Sequence, residues 1–598
     1  MNYYEASWRP IYEWRAAGTW LVAAPLTAAI PIVYPSLGGY ATWAASACIA
    51  LAAFRGAQAW IRQTRKDRLN ERGLDFIKSD VFVEQSKEFL VKGEVWLGSG
   101  FDWTQEQAQR LEDLKRMGVE RLIGKDAERG GAFWLHGLGE VSSLSITLKH
   151  LAGHTMIVGT TGAGKTRMLS LLITQAIMRG EPVIIIDPKG DHDLRLLVQE
   201  ACQLAGAPEK FQMFHPAYPD QSVRLDPLRN WNRATELASR VAALIPSETG
   251  ADPFTAFGWK AMNDIIQGAI LVHQRPNLVN LRRYVEGGVE LLLQKVLRAH
   301  FERALEPDWE MRVAPYIKRM KGNLTEAYIL YYKEDVARKF PVGEIDGLIS
   351  GFEHNRDHYS KMVASLIPIL TMLTSHPLNE LLSPEYDDND PRPITNMAKV
   401  IQNGQVLYVG LDSLADAKVG SAIGSILLAD GAAVAGDRYN YGGDGVDVQF
   451  FVDEAAEVIN DPTIQILNKG RGAGMRLTIA TQTLADFIVR LGSLPKARQV
   501  LGNINNILSL RVTDNETQKY ITEGLPKVKV RSMQSTYRHE IESGGQKQYE
   551  AGYSESEKEE DVDLFQPAML GKLPDLHFIG KLTGGRVIKG KIPIMVPK

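Results

Sequence analysis

Gly159-Thr160-Thr161-Gly162-Ala163-Gly164-Lys165-Thr166 decides how this chain is read. The stretch fits G-x-x-x-x-G-K-[ST], a loop whose backbone N–H groups cradle nucleotide phosphates. His154-Thr155-Met156-Ile157-Val158 before it reads as a buried strand, and Arg167-Met168-Leu169-Ser170-Leu171-Leu172-Ile173 after it has the apolar density of a helix start. Strand, glycine loop and helix together make the string a site rather than a chance turn. The helix N-terminus offers unpaired N–H donors and a partial positive charge to phosphates. Lys165 is expected to reach the β- and γ-phosphates and the Thr166 hydroxyl to bind Mg²⁺. The expected nucleotide-binding set is Gly159 through Thr166 with Arg167 on the first helical turn.

Further strands end in polar residues. Pro182-Val183-Ile184-Ile185-Ile186-Asp187 is an apolar run ending in a carboxylate, as in a parallel sheet buried on both faces. Val448-Gln449-Phe450-Phe451-Val452-Asp453-Glu454 ends in Asp-Glu, and Met475 to Gln482 ends in a polar amide. An Asp-Glu pair downstream of a phosphate loop suits ATP hydrolysis: Asp453 completes the Mg²⁺ shell with Thr166, and Glu454 orients and deprotonates the attacking water. A helix N-cap is the plainer role for Asp453, and the intact Lys165 weighs against it. Gln482 is read either as a γ-phosphate contact or as a cap for the helix that follows. Arg471, in Asn468-Lys469-Gly470-Arg471-Gly472-Ala473-Gly474, is read either as a finger into a neighbouring subunit's site or as a solvated side chain. Asp187, Lys189 and Asp191 are candidate coupling residues.

The 598 residues are 44% hydrophobic, enough for several cores. Lys and Arg number 68 against 71 Asp and Glu, which excludes a basic coat, so any nucleic-acid contact must be a local patch or a pore. Cys48 and Cys202 are the only cysteines, which excludes a disulfide framework and points to a reducing cytosol for the bulk of the chain.

From Ala16 to Phe54 no charged residue occurs, and Pro35-Ser36-Leu37-Gly38-Gly39 breaks the run as a turn would. Each half approaches the roughly 20 residues that cross a bilayer as a helix. Arg9 and Arg15 precede the run, and Arg55, Arg62, Arg65, Lys66 and Arg68 follow it, which places both ends in the cytoplasm. Residues 1–70 are therefore expected as a transmembrane hairpin with spans at about 16–34 and 39–59, the first kinked at Pro25 and Pro31.

The remaining organisation expected is a connector over 71–150, a nucleotide-binding domain in two parts, 151–229 and 401–598, and an all-α insertion over 230–400. Trp259–Val272, Gly288–Ala304 and Tyr359–Leu373 have helical periodicity. In the connector, Thr104–Arg116 is amphipathic and Ala132–Leu135 strand-like. Residues 526–563, rich in Ser, Glu and Lys, are expected as a mobile loop, and His577–Leu582 with Arg586–Ile592 as a closing hairpin.

Taken together these residues resemble the TraD/TraG-type coupling proteins of conjugation, relatives of the FtsK and HerA DNA-pumping ATPases. The marks are the hairpin, Gly159–Thr166, Ile184 to Asp191, the helical insertion, Phe451-Val452-Asp453-Glu454 and Ala480-Thr481-Gln482. Val95-Trp96-Leu97-Gly98-Ser99-Gly100-Phe101-Asp102-Trp103-Thr104 also looks like the connector of TraD proteins from integrative conjugative elements. The resemblance implies an α/β, RecA-like P-loop NTPase motor with an all-α insertion domain, anchored in the bacterial inner membrane with its bulk in the cytoplasm. It implies a homo-hexamer that uses ATP and Mg²⁺ to pass relaxase-bound single-stranded DNA, the relaxosome, to a type IV secretion channel. The family's arginine finger maps onto Arg471, which completes the expected catalytic set of Lys165, Glu454, Gln482 and Arg471, with Thr166 and Asp453 as the expected metal ligands. Thr513–Thr517, where some FtsK relatives carry a finger, holds no arginine. Lys260, Arg282, Arg283 and Arg298 are candidate phosphate contacts in the insertion, against the plainer reading of a solvated helix face. An FtsK-type translocase, a protein-secretion ATPase that never touches DNA, and a non-enzymatic membrane receptor with a degenerate nucleotide site are the rival functions, the last opposed by the intact Lys165, Thr166, Asp453 and Glu454.

Overall fold

The computed structural model describes residues 4–125, 131–245, 253–354, 359, 361, 363–443, 445–541 and 549–598. Apolar strands with few polar breaks must be covered on both sides, and they assemble into one 11-stranded sheet. Its spatial order is Ser142–Thr147, Glu94–Asp102, Val587–Lys591, His577–Lys581, Ile504–Ser509, His154–Val158, Met475–Thr481, Val448–Val452, Val183–Asp187, Val406–Gly410 and Phe211–Phe214. From Ile504–Ser509 to Phe211–Phe214 every neighbour runs parallel, and the other pairs are antiparallel. Alternate side chains feed separate cores: Ile184, Ile186 and Phe450 on one face, Val183, Ile185 and Phe451 on the other. Helices Lys165–Met178 and His192–Leu204 cover the second face, and Ala417–Tyr441 packs into the first. The parallel strands all end at one edge, where the phosphate loop, Asp187, Asp453 and Gln482 follow.

The stretch expected as a connector does more than connect. Glu94–Asp102 and Ser142–Thr147 extend the motor sheet beyond the C-terminal hairpin. Gly100 is required there, because an added Cβ would lie 2.0 Å from the Lys589 carbonyl oxygen. Phe133–Leu138 is a 3-10 turn, in place of the expected strand, with Trp134, Leu135 and Leu138 buried.

The apolar N-terminus forms helices Tyr12–Ala28 and Gly38–Asp67, with a separate turn, Ile30–Val33, carrying Pro31 near its start. Pro25 lies inside the first helix and Pro31 in the short one that follows, and Ala29 between them keeps a right-handed helical backbone (φ −83°, ψ −11°). Among the described residues, three helical stretches are long and apolar enough to cross a membrane: Tyr12–Val33, Pro35–Asn70 and Ala417–Tyr441. Burial separates them, at 6% and 17% for the first two against 72% for the third, which is a core helix of the motor.

Residues 527–563 depart from expectation. Their described parts are antiparallel strands, Lys527–Ile541 and Tyr549–Asp563, where a mobile loop was expected. Cross-strand charge explains the pairing: Lys527, Lys529 and Arg531 face Asp563, Asp561 and Glu559. Composition registers only the charge, whereas the register pairs it. The base of this ribbon rests on helix Gln105–Met117, where Gln109 Nε2 donates to the Arg531 carbonyl (2.9 Å) and its Oε1 accepts from Arg531 N–H (2.7 Å). The same helix receives the N-terminal arm: Trp8 is buried, and its indole N–H donates to the Arg110 carbonyl at 2.7 Å.

Between Ala234 and Leu382 the described secondary structure is helical. Its core includes Leu292, Val296, Leu297 and Phe301, with the Phe301 ring against Trp309, Tyr328 and Tyr331. The expected helix Tyr359–Leu373 falls partly outside the described residues, and Leu366–Leu373 is helical. One buried pair docks this insertion: Arg240 Nη1 donates to Asp430 Oδ1 at 3.0 Å, with both side chains almost wholly enclosed. Met397 N–H, at the insertion's exit, donates to the other Asp430 oxygen. Arg240→Met would strand that carboxylate and is expected to cost roughly 3–5 kcal/mol, whereas pairing it with Asp430→Leu should recover most of the loss. Thermal unfolding of the detergent-solubilised chain checks both outcomes.

Candidate active site

The phosphate loop joins strand His154–Val158 to helix Lys165–Met178. Gly162 (φ +79°) and Gly164 (φ +109°) hold left-handed conformations that favour glycine. Neighbours fix the loop from three sides. Gly159 N–H donates to the Thr481 carbonyl (3.2 Å), Thr160 N–H to the Arg511 carbonyl (2.8 Å), and the Ala163 carbonyl accepts from Leu576 N–H (3.0 Å). Thr160, Thr161, Gly162, Gly164, Lys165, Thr166 and Arg167 line a cavity of about 250 Å³, with Lys189 and Asp191 across from them. Ala163 is buried behind the loop. No acidic residue occupies the first turn of the helix, so its N-terminal N–H groups and Arg167 face the cavity without a competing charge on their own turn. Arg167 leans to Asp193, 3.4 Å away.

Lys165 is buried and donates to the Gly159 carbonyl at 2.9 Å, so the loop's own backbone holds its ammonium group at the cavity. Thr166 Oγ1 lies 3.4 Å from Asp453 Oδ2. Burial pushes the Asp453 carboxyl up to about 6, with the nearby Glu454 and Asp187 charges adding to it. A hydroxyl and a carboxylate oxygen 3.4 Å apart, both hard donors, fit a Mg²⁺ ion.

Glu454 occupies the left-handed region (φ 39°, ψ 52°), rare for a non-glycine residue and a mark of stored strain. Its Oε1 takes Lys189 Nζ at 2.8 Å and Gln482 Nε2 at 3.0 Å, with Lys165 Nζ 3.5 Å away. Burial alone would raise its carboxyl, but the Lys189 bond, the Lys165 charge and the Gln482 bond outweigh burial and hold it below the ordinary value. Gln482 Oε1 in turn accepts from Thr161 Oγ1 (3.3 Å), which ties the amide to the phosphate loop. In the next loop, buried Asp187 accepts from Lys189 N–H (3.1 Å), Asp191 N–H (2.7 Å) and the Tyr408 hydroxyl (2.7 Å). Asp191 caps helix His192–Leu204 through Leu194 N–H. Asp187 and Asp191 therefore shape the loop, and Lys189 is the side chain it delivers.

The structure thus gathers Gly159–Arg167, Asp453, Glu454 and Gln482 at one edge of the sheet. Arg471 is not among them. It is exposed on a 3-10 turn, Gly470–Ala473, preceding strand Met475–Thr481, at the edge opposite the strand ends. The seven residues of that strand place it roughly 20 Å from its own phosphate loop. Lys260, Arg282 and Arg298 pair with Asp264, Glu286 and Glu302 one turn along their helices. Arg511, Asp575 and Leu576 were missed in the sequence. Arg511 and Asp575 form an ion pair at 2.7 Å beside the loop, and an added Cβ on Gly164 would lie 2.8 Å from Leu576 Cδ2. They belong to segments distant in sequence and match no motif.

Residues 447–575 match the family model described as the TraM recognition site of TraD and TraG, and residues 137–251 match the central domain of the helicase HerA. No curated protein matches the sequence. Among solved structures, the bacterial conjugative coupling protein TrwBdeltaN70, in an unbound form, is similar with a TM-score of 0.50 at 15% identity, covering 76% of this chain and 87% of that one. The plasmid coupling protein TrwB in complex with the non-hydrolysable GTP analogue GDPNP has a TM-score of 0.49 at 15% identity over 76% and 88%. The first of these likenesses shows a TrwB-type, RecA-like motor fold. The two matched segments make the chain similar to TraD/TraG coupling proteins and to HerA, each over part of its length.

The raised Asp453 carboxyl predicts a pH effect with a defined sign. Its folded value of about 6 lies above the ordinary carboxylate value of 3.8, so folding favours the protonated form and stability is lost as pH rises through that window. Without divalent cation or nucleotide, Asp453→Asn is expected to stabilise the chain above about pH 6, by up to about 3 kcal/mol. The gain should vanish below about pH 4, and thermal unfolding across pH checks it.

Proposed function

We propose that this chain is an inner-membrane ATPase that couples relaxase-bound DNA to a type IV secretion channel and pumps single-stranded DNA during conjugation, working as a homo-hexamer. The observation that carries the reading is the convergence of Lys165, Thr166, Asp453, Glu454 and Gln482 within hydrogen-bonding reach at the open edge of a parallel sheet. Two largely exposed apolar helices at the N-terminus support an anchor in the membrane. The match over residues 447–575, to a model named for TraM recognition, supports a relaxosome partner.

In this reading the N–H groups of Thr161, Gly162, Gly164, Lys165 and Thr166 bind the phosphates, and the Lys165 side chain offsets charge on the terminal ones. Thr166 and Asp453 hold Mg²⁺, which supplies charge neutralisation to the phosphates. Glu454 orients water in line with the terminal phosphate and takes its proton. Gln482, bonded to both Glu454 and Thr161, links the state of the phosphate loop to that base. Arg471, far from its own site, acts only across a subunit boundary.

The test is ATP hydrolysis by the full chain in detergent, with and without single-stranded DNA. Lys165→Ala should abolish turnover, and Glu454→Gln should keep nucleotide binding while turnover falls by roughly 10²–10⁴-fold. DNA-stimulated turnover is the expected result. Turnover indifferent to DNA would favour a protein-secretion ATPase instead.

A further inference from the structure

Glu454 Oε1 is crowded in a way that hydrolysis by itself does not explain. A carboxylate oxygen that must receive a proton from water accepts instead from Lys189 Nζ (2.8 Å) and Gln482 Nε2 (3.0 Å) and lies 3.5 Å from Lys165 Nζ. The second carboxylate of the pair, Asp453, has no comparable cation; its own Oδ1 accepts from Glu454 N–H and its Oδ2 from Thr166. Positive charge at this site is concentrated on Glu454.

Lys189 differs from its companions in how it is held. Its backbone N–H is fixed on buried Asp187, and Gly190 (φ +68°) turns the chain directly after it. Its side chain remains 39% exposed and lines the same cavity as Lys165, Thr166 and Arg167. Both lysine ammonium groups lie near one oxygen, so the separation between them cannot exceed the sum of those short distances. That spacing suits the oxygens of a single phosphoryl group at the far end of a polyphosphate.

We propose that Lys189 is a positioning residue that alternates between two anions: Glu454 when the phosphate cavity is empty, and the terminal phosphate of a nucleoside triphosphate when it is filled. The inference rests on the nucleotide-site reading above and adds to it a reason why the base stays quiet until a triphosphate arrives. A polyphosphate draws Lys165 and Lys189 toward itself by stronger, doubly charged attraction. Glu454 Oε1 is then left with Gln482 as its donor and is free to accept from water. A diphosphate lacks the group that reaches Lys189, so the lysine stays on Glu454 and keeps its Oε1 occupied.

The proposal predicts which affinity changes. Equilibrium binding of fluorescent ADP and a fluorescent non-hydrolysable ATP analogue is measured on the full chain in detergent with Mg²⁺. Lys189→Met should weaken the analogue by about tenfold or more while leaving ADP within about twofold, and Lys189→Arg should restore most of the loss. Glu454→Gln, which removes the competing anion, should tighten the analogue, and that gain should disappear in the Glu454→Gln/Lys189→Met double variant. Equal weakening of both nucleotides by Lys189→Met, no weakening of either, or a gain from Glu454→Gln that survives in the double variant would each overturn the alternation. Wild-type protein that binds neither nucleotide would instead refute the nucleotide site itself.

Discussion

Hydrogen bonds from distant parts of the chain hold the phosphate loop in its binding shape, and the rest of the motor depends on them. A glycine-rich loop has little intrinsic preference for one conformation. Here Thr481, Arg511 and Leu576 each take one backbone partner in it. Thr481 ends the strand that leads to Gln482, and Arg511 follows the strand beside the loop. Leu576 opens the C-terminal hairpin, which carries two sheet strands of its own. A shift in any of these segments is therefore transmitted to the loop.

The sheet also fixes what can be near what. Parallel strands buried on both faces bring their C-terminal ends to one edge, so carboxylates, amide and lysines from well-separated segments meet there. Charge then decides how they settle. Burial raises Asp453 and marks it for a cation, whereas Glu454 is held low by the lysines that surround it. Adjacent carboxylates on one strand end are thus shifted in opposite directions by their surroundings alone.

Outside the motor, attachment combines a continuous apolar core with polar contacts at a few points. Arg240 and Asp430 join the helical insertion to a core helix, and Met397 closes the same carboxylate from the insertion's far end. Helix Gln105–Met117 carries both the N-terminal arm, through Trp8, and the ribbon base, through Gln109. The segment leading to the apolar hairpin and the ribbon within residues 447–575 therefore share one support. A buried Lys589, 3.0 Å from His577, lies where the hairpin strands meet the connector.

Local order was legible wherever periodicity or a motif dictates it. The phosphate loop, the apolar strands ending at Asp187, Asp453 and Gln482, and the long charge-free N-terminus can be read because backbone geometry and burial impose them residue by residue. The ribbon at 527–563 was not legible, since alternating charges resemble disorder until a register sets Lys529 and Arg531 against acids on the facing strand. Nor could sequence place Arg471 at the opposite sheet edge, or show Lys189 on Glu454. By itself the sequence determined the elements and the chemistry of the residues that end them. Only the tertiary structure decided which of those residues meet, because contacts between segments hundreds of residues apart depend on strand order and register, which no local pattern records.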